Sequence, residues 1–456
     1  MARRSLLAMA LGVGSWVLSG CSIPGVGAER NTEKWLRSRP WVAEVEKITA
    51  LGGPVPLPQP MNVSATVRAV PGTDWAAVQR IRTEIEAYAA EATRDVSSLQ
   101  VQLGFDSGAL PISGKPTNNT DLFALFDSLF TERRTQRVEF ERATESRLRV
   151  MMAGDGDGMF TYAGWAATHD PGEAAILTVS DMTQTRTVRT RFERNSTQLN
   201  TLGRQVAAAR ALSELRGFAA DATTSPSSLT IELTSRDQVE AVFRTMHSTD
   251  PGSTDLTVMA DRVGIRGPTA AADRYPAARA VVEAEASIDR LIVQDNAAAP
   301  GRVTLDARIG EKERVGAAAA AIGAHPESAG DGLVWLVLNP IARVRMAGTP
   351  EEIAACGGPA QAVMSTTGRD ASVDSMGRKL RLAHGLGTTG LTDLCRSMRA
   401  NGWDGDLDFV ISGGLYRVSY RSTATGRARD IEIGRSDGTT NGAQLWLDAW
   451  NSTATE

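Results

Sequence analysis

Short runs that alternate polar and apolar residues recur along the chain, and single amphipathic helical patterns lie between them. Ser98-Leu99-Gln100-Val101-Gln102-Leu103 and Ser228-Leu229-Thr230-Ile231-Glu232-Leu233 make every second residue apolar. Residues 302–309 (RVTLDARI), 415–421 (LYRVSYR) and 429–433 (RDIEI) do much the same. A period of two sends alternate side chains to opposite faces of a strand, so each run offers one face to a core and one to water. That pattern favours antiparallel sheets, because parallel sheets are covered on both faces and read as continuous apolar runs. Residues 41–45 and 63–70 also read as strands, flanking a wide Pro-rich hairpin loop at 53–60.

The helices have readable starts. Thr349-Pro350-Glu351-Glu352 forms a capping box with proline at the first helical position. Ser235 with Gln238 forms a second box, ahead of Val239, Val242, Phe243 and Met246 on one face. After Pro71-Gly72, Trp75, Val78, Ile81, Ile85 and Tyr88 share an apolar face, while Arg80, Arg82, Glu84 and Glu86 face water. Leu122, Phe123, Phe126, Leu129 and Phe130 mark another helix. Leu391, Leu394, Cys395 and Met398 mark one more, which stops at Asn401-Gly402. Residues 182–215 begin with strand alternation and end with helical spacing. The segments starting at Ser98 and Ser228 are alike, each a Ser-Leu strand leading into an aromatic-bearing helix. The expected fold class is α+β and multi-domain. Mostly antiparallel strands and hairpins alternate with single helices in two-layer sandwiches, ferredoxin-like in the broad sense.

The N-terminus has a cationic start at Arg3 and Arg4, an apolar run over residues 6–18, and small residues after it. The run is short for a bilayer span. Leu18-Ser19-Gly20-Cys21 resembles the lipobox of bacterial lipoproteins. The resemblance implies cleavage after Gly20, a diacylglyceryl group on the Cys21 sulfur, and a body anchored to a cell membrane on its extracytoplasmic side. The Arg-Arg pair leaves the export route open between the general and twin-arginine pathways.

The expected organisation is an export signal at 1–20, a lipidated tether at 21–36, and α+β bodies at 37–173, 174–300 and 301–456. Three bodies suit a chain of 456 residues. Joints are expected at residues 168–172 (THDPG), 223–228 (TTSPSS) and 296–301 (NAAAPG). The formal charge is −4, and removing Arg3 and Arg4 with the signal makes it −6. A mildly acidic body without a basic stripe is a poor nucleic-acid binder. Only Lys34, Lys47, Lys115, Lys312 and Lys379 are lysines, against abundant arginine, as in a GC-rich coding sequence. Cys356 and Cys395 remain after Cys21, and an even pair in an exported chain predicts a disulfide.

Chemistry is hard to find. The chain is read as lacking a G-x-S-x-G elbow and any other catalytic motif, and it has no S-x-x-K or K-T-G. His169, His247, His325 and His384 are scattered singly, without metal-ligand spacing. Asp404, Asp406 and Asp408 have the opening spacing of a calcium loop. Phe409 stands where glycine is required, however, and Leu415 where a closing glutamate belongs, so the wet face of a strand explains them better. Asp155-Gly156-Asp157-Gly158 reads as a tight hairpin turn. Trp335, Trp403, Trp446 and Trp450 gather in the C-terminal third, the last two as the core face of a terminal helix. No metal and no cofactor are expected. The leading expectation is a non-enzymatic envelope lipoprotein that binds a protein or cell-wall partner. The alternatives are a solute receptor of an importer, and a hydrolase whose residues come from distant loops.

Overall fold

A computed structural model describes residues 26–51, 61–93, 96–142, 146–153, 158–169, 175–192, 196–249, 254–267, 269–295, 302–338, 344–367, 371–374, 379–382, 388–401, 410–412, 416–423, 425–435 and 441–455. The chain divides into two compact units, residues 1–155 with 165–182, and residues 156–164 with 183–456.

The first unit contains α1 (Val26–Arg37), β1 (Val42–Leu51), β2 (Met61–Ala69), α2 (Trp75–Glu91), β3 (Val96–Phe105), β4 (Gly108–Ser113), α3 (Thr120–Thr131), β5 (Thr135–Glu141) and β6 (Ser146–Met152). Next in sequence come α4 (Met159–Ala166), most of which belongs to the second unit, and β7 (Ala175–Asp181). The strands pair antiparallel as β1 with β2, β3 with β4 and β5 with β6. Strands joined through a helix pair parallel as immediate neighbours, namely β2 with β3, β4 with β5 and β6 with β7.

The second unit repeats the scheme. It runs through β8 (Arg186–Arg191), α5 (Ser196–Leu212), β9 (Leu215–Asp221), β10 (Ser227–Leu233), α6 (Val239–Thr249), β11 (Thr254–Ala260), β12 (Val263–Arg266), α7 (Tyr275–Ala284), β13 (Ile288–Asp295) and β14 (Val303–Ile309). It continues with α8 (Val315–Gly323), β15 (Leu333–Leu338), β16 (Val344–Gly348), α9 (Pro350–Thr367), β17 (Ala371–Asp374), β18 (Lys379–Leu382) and α10 (Thr388–Ala400). It ends with β19 (Val410–Ser412), β20 (Tyr416–Arg421), β21 (Arg429–Arg435) and α11 (Asn441–Ser452). Parallel neighbours again flank each helix, as in β10/β11, β12/β13 and β14/β15. The hairpins β9/β10, β11/β12 and β13/β14 are antiparallel. Helix, strand and strand thus recur at roughly forty-residue intervals, within the range typical of repeat architectures.

Strands such as β2 and β10 bury one face each. In β2, Met61, Val63, Ala65, Val67 and Ala69 are buried, while Asn62, Ser64 and Arg68 are exposed. In β10, Leu229, Ile231 and Leu233 are buried, and Ser228, Thr230 and Glu232 are partly exposed. The helices lie side by side over the buried face. Trp75 of α2 packs 5.3, 5.6 and 5.1 Å from Phe123, Phe126 and Phe130 of α3. In the second unit α8 and α9 approach through glycines, and a Cβ at Gly357 would overlap that of Ala319. The C-terminus closes around Arg399, which donates to Thr453 Oγ1 at 2.9 Å and to the carbonyls of Thr423, Gly426 and Trp450 at 3.1, 2.8 and 3.0 Å. Trp446 and Trp450 are buried as expected, their indole N–H groups donating to Tyr420 and Ser422.

The structure is α+β, but several expectations need correction. Alternation correctly reports one buried face, yet it does not report strand direction, and each of the helices α2 to α10 links a parallel pair. A ferredoxin-like sandwich is a split βαβ, with a strand inserted between its parallel pair. Here the parallel strands are adjacent. Two units replace the three expected bodies. The boundary at 300 falls between β13 and β14, which pair from Ile288↔Ile309 to Asp295↔Val303. The joint at 223–228 is likewise the turn of the paired β9/β10 hairpin. Of the expected tether at 21–36, residues from Val26 onward are helical and pack on β1.

Gly357→Leu forces side-chain volume between α8 and α9, and overpacking of this kind costs roughly 1–3 kcal/mol. Gly164 of α4 has nothing within 4 Å of an added Cβ. Gly164→Ala should therefore be neutral or stabilising by up to about 1 kcal/mol. Urea unfolding of the two variants checks both.

Candidate functional site

The face of the first unit's sheet opposite its helices is the surface available for a site. Across it, β2 residues neighbour β3 residues in register, Thr66 beside Gln102 and Arg68 beside Gly104. Gly104 in turn stands opposite Ala109 of β4. The small side chains at Gly104, Gly108 and Ala109 leave a trough of about 560 Å³, walled by Arg68 and Glu46 on one side and Arg137 on the other. Gly108 is required here, because a Cβ would collide with the Val138 carbonyl of the neighbouring parallel strand.

Polar groups of the trough are engaged. Arg68 pairs with Glu46 at 3.2 Å, and Arg137 Nε donates to Glu139 at 2.7 Å. Asp106 accepts from the Gly72 N–H at 2.7 Å, and Gln102 Nε2 donates to the Phe140 carbonyl at 3.2 Å. The lining has no histidine, cysteine, serine or lysine. Such a surface can hold a ligand by shape and hydrogen bonds.

The same face of the second unit is also polar and paired. Arg189 donates to Asp221 at 3.0 Å, and Arg266 Nε to Asp255 at 3.0 Å. Arg345 lies 4.9 Å over the Trp335 ring, and Met259 and Ile292 close over Gly264.

The residues singled out in the sequence are not brought together. His169 sits against the Trp165 carbonyl, His247 stacks on Phe243, and His325 pairs with Glu327 at 3.3 Å. His384, Trp403, the Asp155–Gly158 turn (save Gly158) and Asp404, Asp406 and Asp408 lie outside the described residues, as does Cys21. Among the described residues no three His, Cys, Asp or Glu side chains form a metal-sized group. Burial raises the Asp295 carboxyl above its ordinary range, with His247 acting against the shift.

One spacing escaped the sequence reading. Gly434-Arg435-Ser436-Asp437-Gly438 has the G-x-S-x-G form, between β21 and α11. A nucleophile elbow tops a strand inside an α/β-hydrolase sheet. By contrast, β21 pairs antiparallel with β20. Residues 436–440 are outside the described set.

The expected disulfide is corrected. Cys356 of α9 and Cys395 of α10 are not joined by a disulfide. The two helices do pack together, but they run antiparallel, since β16 and β18 ahead of them point oppositely. A Cβ at Gly358 would lie 3.2 Å from the Asn401 carbonyl. That register puts Cys395 about 12 Å along the axis from Cys356, beyond disulfide reach.

Comparison with known protein families, with curated proteins and with solved structures finds no match for the chain.

Burial pushes the Cys395 thiol up to about 12 from 9.0, and raises the Tyr420 hydroxyl too. An acid held neutral in the fold keeps its full stabilisation below the unfolded-state value and loses it as pH rises towards the folded one. Stability should therefore fall between about pH 9 and 12, by roughly 1.4 kcal/mol per pH unit for each such group. Urea unfolding across that range should show a shallower fall in Cys395→Ala than in the wild type.

Proposed function

We propose that the chain is an exported lipoprotein, held by an acylated Cys21 on the extracytoplasmic side of a membrane. Its body is a non-enzymatic binding protein that takes a protein or cell-wall partner on the open sheet face. One observation carries the binding reading: strands such as β2 and β10 bury one face and leave a polar, charge-paired face uncovered. Repeat proteins use extended faces of this kind for recognition. The Leu18-Ser19-Gly20-Cys21 lipobox carries the anchor. No helix among the described residues is long and apolar enough to cross a membrane.

The importer-receptor alternative has parallel βαβ units to draw on, because parallel pairs flank the helices. Strand order counts against it. Receptors of the doubly wound type bind at a topological switch point. Within each unit here each strand pairs with its neighbours in the chain.

Detergent phase partitioning tests the anchor. The wild type should enter the detergent phase, Cys21→Ala should accumulate unprocessed, and a processed wild type in the aqueous phase would refute lipidation. A fluorophosphonate probe tests the hydrolase alternative. No labelling of the purified protein is expected, and labelling abolished by Ser436→Ala would establish a serine nucleophile.

A further inference from the structure

α1 packs on β1 and β2 through Ala28, Thr32 and Leu36, all buried, and its Trp35 stacks 4.1 Å from Tyr88 of α2. At about 100° per residue, the ridge diametrically opposite this buried stripe is Arg30, Lys34 and Arg37. All three are exposed. Arg39 follows, its guanidinium 5.3 Å from the Trp35 ring. Glu29 and Glu33 flank the ridge on one side, and Glu33 is held by Arg37 at 2.8 Å. Residues 26–39 therefore carry two more positive than negative side chains, in a body that is otherwise acidic.

Only residues 22–25 separate Cys21 from α1, a span of at most about 18 Å of extended chain. An acyl chain on Cys21 would thus keep the ridge beside a bilayer. Anionic headgroups attract cations there within a Debye length, about 8 Å at physiological salt. We propose that the Arg30/Lys34/Arg37 ridge of α1 rests on anionic lipid headgroups, adding to the acyl anchor on Cys21 an electrostatic contact that orients the body. The proposal builds on the lipoprotein reading. Its consequence is orientational: α1 lies on the helix side of β1 and β2, so a ridge turned to the bilayer leaves the open face of the first unit's sheet turned away from it.

The small number of lysines supplies the test. The intact lipidated protein is mixed with vesicles of phosphatidylglycerol or of phosphatidylcholine, acylated briefly with an amine reagent, and analysed by mass spectrometry. Lys34 labelling should fall at least about threefold on phosphatidylglycerol, and return at about 0.5 M salt, where the attraction is screened. Exposed Lys115 should not change. Arg30→Gln/Arg37→Gln should lose most of the lipid-dependent protection. Equal Lys34 labelling on both lipids, or protection indifferent to salt, would overturn the proposal. Flotation with uncharged phosphatidylcholine vesicles reads the acyl anchor separately. Failure to float there would refute the lipoprotein reading, while Lys34 labelling still decides the ridge.

Discussion

Apolar side chains at every second position of the strands, packed beneath a layer of helices, are the interaction on which the other features depend. Val63, Ala65 and Val67 in β2, and Leu229, Ile231 and Leu233 in β10, are all at most 4% exposed. Burying a residue the size of valine or leucine gives about 1.5–3 kcal/mol, enough over many strands to fix the helices in place. A single hairpin and its helix could not bury this surface alone. Each leans on the next, as α2 does on α3 through Trp75, and α8 on α9 through Gly357. Stability in such a chain is set by nearest neighbours. On strands such as β2 and β10 the same logic frees the opposite face from the core.

Arginine takes over work that lysine or a larger core would otherwise do. Arg262 reaches the carbonyls of Val282, Glu285, Ala286 and Ile288, closing the end of α7 against the β11/β12 turn. Arg399 ties the end of α10 to the last residues of α11, with its guanidinium 4.1 Å over Trp450. The planar guanidinium can satisfy several fixed carbonyls at once, which a lysine ammonium does less well. On the open faces, arginines such as Arg68, Arg189 and Arg266 are paired with carboxylates. That pairing leaves the open faces polar and charge-paired.

Much of the local structure was legible in the residues. The strands at Ser98 and Ser228 lie within β3 and β10. The Thr349/Glu352 capping box forms as expected, Thr349 N–H donating to Glu352 at 2.8 Å and Glu352 N–H to Thr349 at 3.3 Å. The hairpin around residues 53–60 is present as the β1/β2 pairing. The ambiguous stretch 182–215 contains both elements it hinted at, β8 and α5. Strand direction was not legible, because alternation reports which face is wet and says nothing about which way the next strand runs. The repeat was nearly invisible for a related reason: any apolar residue of suitable size serves a buried position, so equivalent helices range from Phe-rich α3 to Ala-rich α8. The trough beside Arg68 left no motif, since it is made by what is missing at Gly104, Gly108 and Ala109. The thiol pair misled because spacing in sequence carries no helix register.

The central claim is that the uncovered sheet face is occupied in the cell. Maleimide labelling of cysteines placed on it, in a Cys356→Ser background, asks this directly. Ser64→Cys reports on the first unit and Ala219→Cys on the second, with exposed Ala76→Cys on α2 as the reference. In purified protein all three should react readily. On intact cells the two sheet positions should react several-fold more slowly while Ala76→Cys keeps its rate. Equal rates at all three positions on cells and in solution would show that nothing binds there.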